Sequence, residues 1–310
     1  MSLFVQQHAT PSAFSSAPWV ILTPIEQRIK EKIEAVGTPL KDWDIQINYG
    51  IKTGCNEAFI ISTEKRNEIL ANCQTEGERQ RTADLIRPIL RGRDIKRYGY
   101  DWAGLWLIFI PWHFPYQFDT SINGASDKAE KAFQEQYPSV YQHMTRYKEQ
   151  LSKRNKAETG IRYEWYAMQR WGAQYWEDFS KPKIIYPNMT KYMPFAYDDS
   201  SFMTNQKCFI VTGESIAYLT AFFNSSLFKF CFRDIFPELQ GGTRELSKIF
   251  FDKIPVLHID KETNYLFESK VKDIQEHYTI QQAKEIDELL FDLYNLTDHE
   301  RQAVGFVEIK

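Results

Sequence analysis

The sequence predicts an α+β fold, built of small mixed sheets with packed helices and followed by a C-terminal helical segment. Three observations lead there. Short apolar runs of strand length recur between residues 45 and 211. Helical stretches separate them without the regular βαβ alternation of a doubly wound sheet. From Asn264 to Tyr294 the apolar residues fall instead at helical spacing.

Taken in order, residues 1–22 are polar and carry Ser, Ala and Pro, the composition of an extended arm or the end of a linker. They have neither a charged start nor a continuous apolar run, so no signal peptide is expected. No later stretch is apolar for long enough to span a membrane. A helix begins at Thr23-Pro24-Ile25-Glu26, with Thr as N-cap, Pro at N1 and Glu at N3. Ile25, Ile29, Ile33 and Val36 form its apolar stripe, and Gly37-Thr38-Pro39 ends it. Strands are expected at Ile45 to Ile51, Ala58 to Ser62, Leu105 to Pro111, Lys183 to Pro187, Pro194 to Tyr197 and Lys207 to Val211. Asp127 to Leu151 reads as helix apart from Pro138, and Glu214 to Phe232 as a buried helix. Leu266, Val271 and Ile274, then Ile286, Leu289, Leu290 and Leu293, outline two helices broken near Tyr278 to Ile280. Thr297-Asp298-His299-Glu300 is a second capping box. The expected organisation is an arm over 1–22, one domain over 23–259 and a helical segment over 260–310 that packs on the domain or on a partner helix.

Composition is that of an ordinary globular chain, with 43% hydrophobic and 25% charged residues. The 15% aromatic content fits a large core or a surface of flat rings for stacking. Cys55, Cys73, Cys208 and Cys231 form no Cys-x-x-Cys pair, which argues against zinc, and a disulfide framework is not expected at this size. A reducing, cytoplasmic setting follows. The net charge of -3 hides an uneven distribution. Residues 260–310 hold six bases and twelve acids, leaving the rest of the chain net basic. Arg87 to Tyr98 holds five bases and one acid, and Arg146 to Arg170 seven bases and three acids. Local basic density governs phosphate binding more than net charge does, although each patch alone also fits a solvated surface.

Catalytic motifs are missing. There is no Asn/Asp-Pro-Pro-aromatic loop to hold a flipped base amine, no Gly-rich turn for a nucleotide-like cofactor, and no serine elbow. A metal-dependent nuclease is open only through generic strings: Glu238 and Glu245 with Lys248, or Asp260 followed by Glu268-Ser269-Lys270.

Three segments point to a function. Asn48 to Phe59 leads a strand through Gly50 and Gly54, where Lys52, Thr53 and Asn56 supply donors and acceptors; taken alone it also fits a plain hairpin. Ile86 to Tyr98 places Arg91 and Arg93 around Gly92, suited to bidentate contact with phosphate or guanine, with Asp94 in reach to orient one of them. The third runs from Lys181 to Thr190, through Asn205-Gln206-Lys207, to a helix ending in Asn224-Ser225-Ser226, a loop at Gly241-Gly242 and Lys253-Ile254-Pro255-Val256. Together, in this order over about 200 residues, they resemble the TaqI-like C-terminal specificity domain of type IIG restriction–modification enzymes and adenine-specific DNA methyltransferases. Ile286-Asp287-Glu288-Leu289-Leu290 and Tyr294-Asn295-Leu296-Thr297 are similar to the helices that close such chains.

The resemblance implies a target-recognition-domain-like fold that contacts duplex DNA in a sequence-specific way. The catalytic portions would lie elsewhere, so the chain is expected to be non-catalytic, a fragment or stand-alone specificity module. It would have no cofactor of its own; S-adenosylmethionine and Mg are expected in the missing methyltransferase and nuclease domains. Candidate DNA contacts are Lys52, Thr53, Asn56, Arg91, Arg93, Lys96, Arg97, Trp165, Tyr166, Gln169, Arg170, Lys191 and Arg244. The alternatives are a protein-interaction module, an aromatic-rich carbohydrate-binding module, or the nuclease above.

Overall fold

A computed structural model of the chain describes residues 23–308, so the arm expected over 1–22 lies outside the described residues. Helix α1 (Pro24–Val36) opens with the predicted capping box: Glu26 N–H donates to Thr23 Oγ1 at 3.3 Å and Thr23 N–H to Glu26 Oε2 at 2.6 Å. Next come β1 (Thr38–Pro39), β2 (Ile45–Tyr49), α2 (Asn56–Phe59), β3 (Ile60–Ser62), α3 (Thr63–Ala71), α4 (Glu76–Leu85), β4 (Ile86–Leu90) and β5 (Leu105–Ile108). A helical stretch follows with α5 (Asp127–Gln136), α6 (Pro138–Thr145) and α7 (Lys148–Lys153). Then come β6 (Lys183–Pro187), β7 (Met189–Thr190), β8 (Ala196–Asp198), β9 (Met203–Thr204), β10 (Cys208–Gly213), α8 (Ile216–Asn224), α9 (Ser226–Phe232), β11 (Arg244–Glu245), α10 (Lys248–Phe251) and β12 (Pro255–Val256). Helices α11 (Lys261–Glu276), α12 (Ile280–Leu293) and α13 (Asp298–Val304) close the chain.

Two four-stranded sheets organise these elements. The first has the order β2-β10-β6-β8 and is antiparallel throughout. The second has the order β3-β5-β4-β9, with β4 and β9 parallel. Alternate residues of a strand point to opposite faces, and the first sheet is buried on both. Phe209 and Val211 of β10, with Ile184 and Tyr186 of β6, enter one core; Cys208, Ile210 and Ile185 enter the other. That double burial is why these strands read as unbroken apolar runs.

The first core also takes α8, whose every residue is buried. A helix apolar all round must be covered all round, and α8 touches both the first sheet and α11. Phe267, Val271 and Ile274 of α11 and Ile286 and Leu290 of α12 belong to this same core. Residues 260–308 therefore pack on the preceding fold and have no separate core among the described residues. The Asn224-Ser225-Ser226 turn ties the parts together. Asn224 Nδ2 donates to Phe195 O at 2.6 Å while Phe195 N–H donates to Asn224 Oδ1 at 3.1 Å. Ser226 N–H and Oγ–H donate to Asp287 at 2.9 and 2.6 Å, and Val307 N–H donates to Ser226 Oγ.

Several expected boundaries shift for identifiable reasons. Ala58 and Phe59 belong to a helical turn, not a strand, and only Ile60–Ser62 pairs in a sheet. Pro138 starts α6 at N1, where its missing N–H costs nothing, and the stretch divides a second time between α6 and α7. Ser225 caps α9 by accepting from Phe228 N–H at 3.0 Å, which splits the buried helix in two. The segment Gly50 to Phe59 is not a hairpin: it carries the chain from the first sheet to the second.

The second core rests on a buried carboxylate. Burial pushes the Glu78 carboxyl up, but hydrogen bonds from Gln74 N–H and from Ser139 Oγ–H and N–H together hold it below the usual range. A lowered folded value means stability present above the unfolded value, about 4.3, and lost as pH falls through the folded one. Glu78→Gln is therefore expected to lower the melting temperature at neutral pH and to flatten the acid limb below about pH 4.5, as read by thermal melts across pH.

Candidate nucleic-acid interface

One end of the two sheets gathers the loops that the sequence singled out. Gly50 is the pivot. Its N–H donates to Cys208 O at 2.9 Å, and Ile51 N–H donates to Thr204 O at 2.7 Å. A Cβ at position 50 would stand 2.0 Å from Asn205 O, so only glycine lets the two backbones approach. The chain then pairs with a second basic stretch: Lys52 N–H donates to Arg170 O at 3.0 Å and Arg170 N–H returns to Lys52 O at 2.9 Å. Gly92 lies against this end too, with its Cβ position 3.3 Å from Pro187 and 3.6 Å from Lys207 O. Asn188 N–H donates to Lys207 O, and β7 pairs with β11 just beyond. Lys52, Arg93, Gln169, Arg170, Lys191 and Lys207 thus sit on neighbouring loops, and all but the half-buried Lys52 and Gln169 are exposed. Gln206 and Lys207 lay within the third sequence segment but were not among the candidate contacts, because a polar pair in a short loop carries no periodic signal.

The side chains differ in how free they are. Arg93 is exposed and has no hydrogen-bond partner among the described residues. Arg91 is held: its Nε and Nη2 donate to Asp94 at 3.0 and 2.8 Å, and this carboxylate raises the guanidinium pKa further. Asp94 thereby orients Arg91, as its position suggested. Arg170 makes a two-pronged pair with Glu158 at 2.9 and 3.0 Å. Asn56 is exposed and accepts from Thr53 Oγ1 at 2.7 Å.

Five other candidates are buried. Thr53 is buried and spends its hydroxyl within the loop, donating to Asn56 and accepting from Cys55 N–H. Tyr166 is fully buried with its hydroxyl on Phe114 O at 3.0 Å, and Trp165 is buried with Nε1 on Glu130 at 2.7 Å. Arg97 is buried and donates to Asn224 O, Val307 O and Tyr278 Oη. Arg244 is buried and donates to Phe236 O and Glu238. These five are internal supports and do not face outward. Lys96 is exposed beside Asp101, but on the edge near β8 rather than among these loops.

The residue that holds these loops together was missed. Arg154 donates to Thr53 O, Ala167 O and, at 3.0 Å, Trp165 O, so one guanidinium stitches the Lys52 loop to the 165–170 stretch. Burial pushes its pKa down to about 10. In the sequence it is one of seven bases in a run, and nothing local marks it as internal. The residues of the nuclease strings are dispersed into other tasks: Glu245 accepts from Ser247, Lys248 pairs with Asp252, Asp260 caps α11, and Lys270 pairs with Glu285.

The model of the TaqI-like C-terminal specificity domain matches residues 87–256. The chain belongs to that family. The match spans β4 to β12, which includes the Arg91–Arg93, Lys191 and Lys207 loops and Arg244 of β11, while the Lys52 loop precedes it. Among solved structures, the chain is similar to the type IIL restriction–modification enzyme MmeI in complex with DNA, at 11% identity and a TM-score of 0.54, over 87% of this chain and 36% of that one. It also aligns with the type IIG restriction endonuclease BpuSI at 15% identity and a TM-score of 0.49, over 88% of this chain and 33% of that one. At such identity the first likeness is one of fold. The chain spans about a third of the length of either enzyme. No curated protein matches it.

Gly50→Ala is expected to destabilise the chain by about 3 kcal/mol, because backbone must move to admit the methyl. Gly77→Ala, on α4 with only the tip of Arg81 nearby, is expected to be neutral or stabilising. Chemical denaturation of the two variants checks the contrast.

Proposed function

We propose that this chain is the DNA target-recognition part of a restriction–modification enzyme, acting in the cytoplasm, and that it grips duplex DNA with the loop end carrying Lys52, Arg93, Lys191 and Lys207. The observation that supports this most is that loops far apart in sequence converge there, each bringing an exposed or half-buried base and a polar neighbour. Lysines and arginines at that end neutralise phosphates. Gln169, Gln206 and Asn56 have amides of the kind that pair with adenine edges, and Arg93 has a guanidinium that suits guanine. Methyl transfer or cleavage belongs to catalytic domains elsewhere, which would hold S-adenosylmethionine and Mg. The chain positions DNA for them.

Selection of bound duplexes from a random pool tests the proposal. Enrichment of a short motif, with affinity that falls steeply as salt rises, is the expected result. Failure to bind duplex even at low salt overturns it.

A further inference from the structure

Beside this interface lies a second feature of different character. A cavity of about 190 Å³ is walled by Phe109, Phe114, Tyr137, Trp171 and Trp176. Trp171 directly follows Arg170, so the cavity borders the proposed DNA-binding loops. Two polar groups in its lining are unspent. Gln117 Oε1 is buried with no hydrogen-bond partner among the described residues. The Arg87 guanidinium lies against two rings, 4.8 Å from the Phe109 centroid and 5.4 Å from that of Trp176, and donates no hydrogen bond to any described residue. Burial lowers its pKa, with Asp84 opposing. A buried acceptor left unmade in an aromatic slot is costly unless something completes it, and the half-buried Arg87 guanidinium beside it has donors to spare.

We infer that this cavity binds a nucleobase. Size is the first reason: at 190 Å³ it is smaller than the roughly 300 Å³ at which pockets for drug-sized ligands begin. It therefore takes in one planar ring system, with the sugar or the rest of a larger ligand left outside it. The walls are the second: flat rings stack on any base. The polar pair is the third. A base edge presents acceptors beside donors, so it takes hydrogen bonds from Arg87 and gives one to Gln117, whereas a Phe or Leu side chain from a protein partner would leave both unmet. Guanine fits best, with O6 and N7 toward Arg87 and an N–H toward Gln117. A cationic ring is disfavoured by Arg87 and Arg81 on the rim.

The base has two sources. It is either a free nucleoside or a base extruded from bound DNA, and the second form rests on the proposed DNA reading. The test uses the whole chain and two variants, Arg87→Ala and Gln117→Leu, each checked for an unchanged melting profile. Guanosine is titrated by calorimetry, and duplexes carrying 6-thioguanine are photocrosslinked and the attached peptides mapped. Saturable guanosine binding, weakened about tenfold or more in either variant, supports the free form. Crosslinks to residues 109–118 or 171–176 that vanish in Gln117→Leu support the extruded form. Absence of both overturns the inference. Duplex binding by the wild-type chain is scored separately: a chain that binds duplex but shows neither signal loses only the cavity, and one that binds guanosine but no duplex loses only the interface.

Discussion

Replacing Lys52, Arg93 and Lys207 together by Glu lowers duplex affinity at least about 100-fold at physiological salt, and makes the remaining binding much less sensitive to salt. These three side chains sit on different loops brought together by Gly50 and Gly92, so their charges add over one patch. Each neutralised phosphate contributes a slope of about -0.9 in log affinity against log salt. Removal of three such contacts is expected to reduce the slope by about 2.7 units before any repulsion is counted. The residues are exposed or half-buried, and the melting temperature is expected to stay close to that of the wild type. Fluorescence anisotropy over a salt series measures both quantities. A triple variant that binds duplex as the wild type does would place the interface elsewhere. The same substitutions at Lys96, on the β8 edge, are expected to leave affinity nearly unchanged.

Arg154→Met is expected to cost about 3 kcal/mol of stability and to weaken DNA binding as well. Methionine keeps the aliphatic stem packed toward Phe59, over whose ring the guanidinium lies at 5.4 Å. It leaves Trp165 O and Ala167 O without the Arg154 donor and Thr53 O with only the Gln169 N–H at 3.3 Å. Each partly buried carbonyl so stranded costs on the order of 1 kcal/mol or more. The Lys52 loop and the 165–170 stretch then lose their common anchor, and Lys52 and Arg170 lose their fixed spacing. Arg154→Lys is expected to recover only part of the loss, because an ammonium lacks the planar fork that reaches three acceptors at once. Thermal melts and anisotropy on the same samples separate the two effects. A variant with wild-type stability and weak binding would mean that Arg154 touches DNA directly and is not a support.

Much of the fold was legible in the residues because local physics decides it. The capping boxes at Thr23 and Thr297 satisfy helix-end donors with side chains three residues away, so they form wherever the chain goes. The strands Lys183–Pro187 and Cys208–Gly213 were visible as apolar runs because both their faces are buried. The α11 and α12 stripes were visible because only one face of each packs inward. The family resemblance likewise rested on short motifs in order, and the basic runs announced the patch they form.

What the residues could not disclose is which members of a basic run face outward. Arg93 and Arg97 are four positions apart in one stretch, yet Arg93 is exposed while Arg97 is locked onto Asn224 O and Val307 O. Arg154 and Arg170 share the other run, and one is a strut and the other a surface charge. Trp165 and Tyr166 looked like stacking rings and are core. By itself the sequence determined the elements, the family and the presence of basic loops, because these depend on contacts within a few residues. Only the tertiary structure decided which charges stand in solvent and which are consumed by carbonyls, because the acceptors that hold a buried arginine come from residues up to 210 positions away.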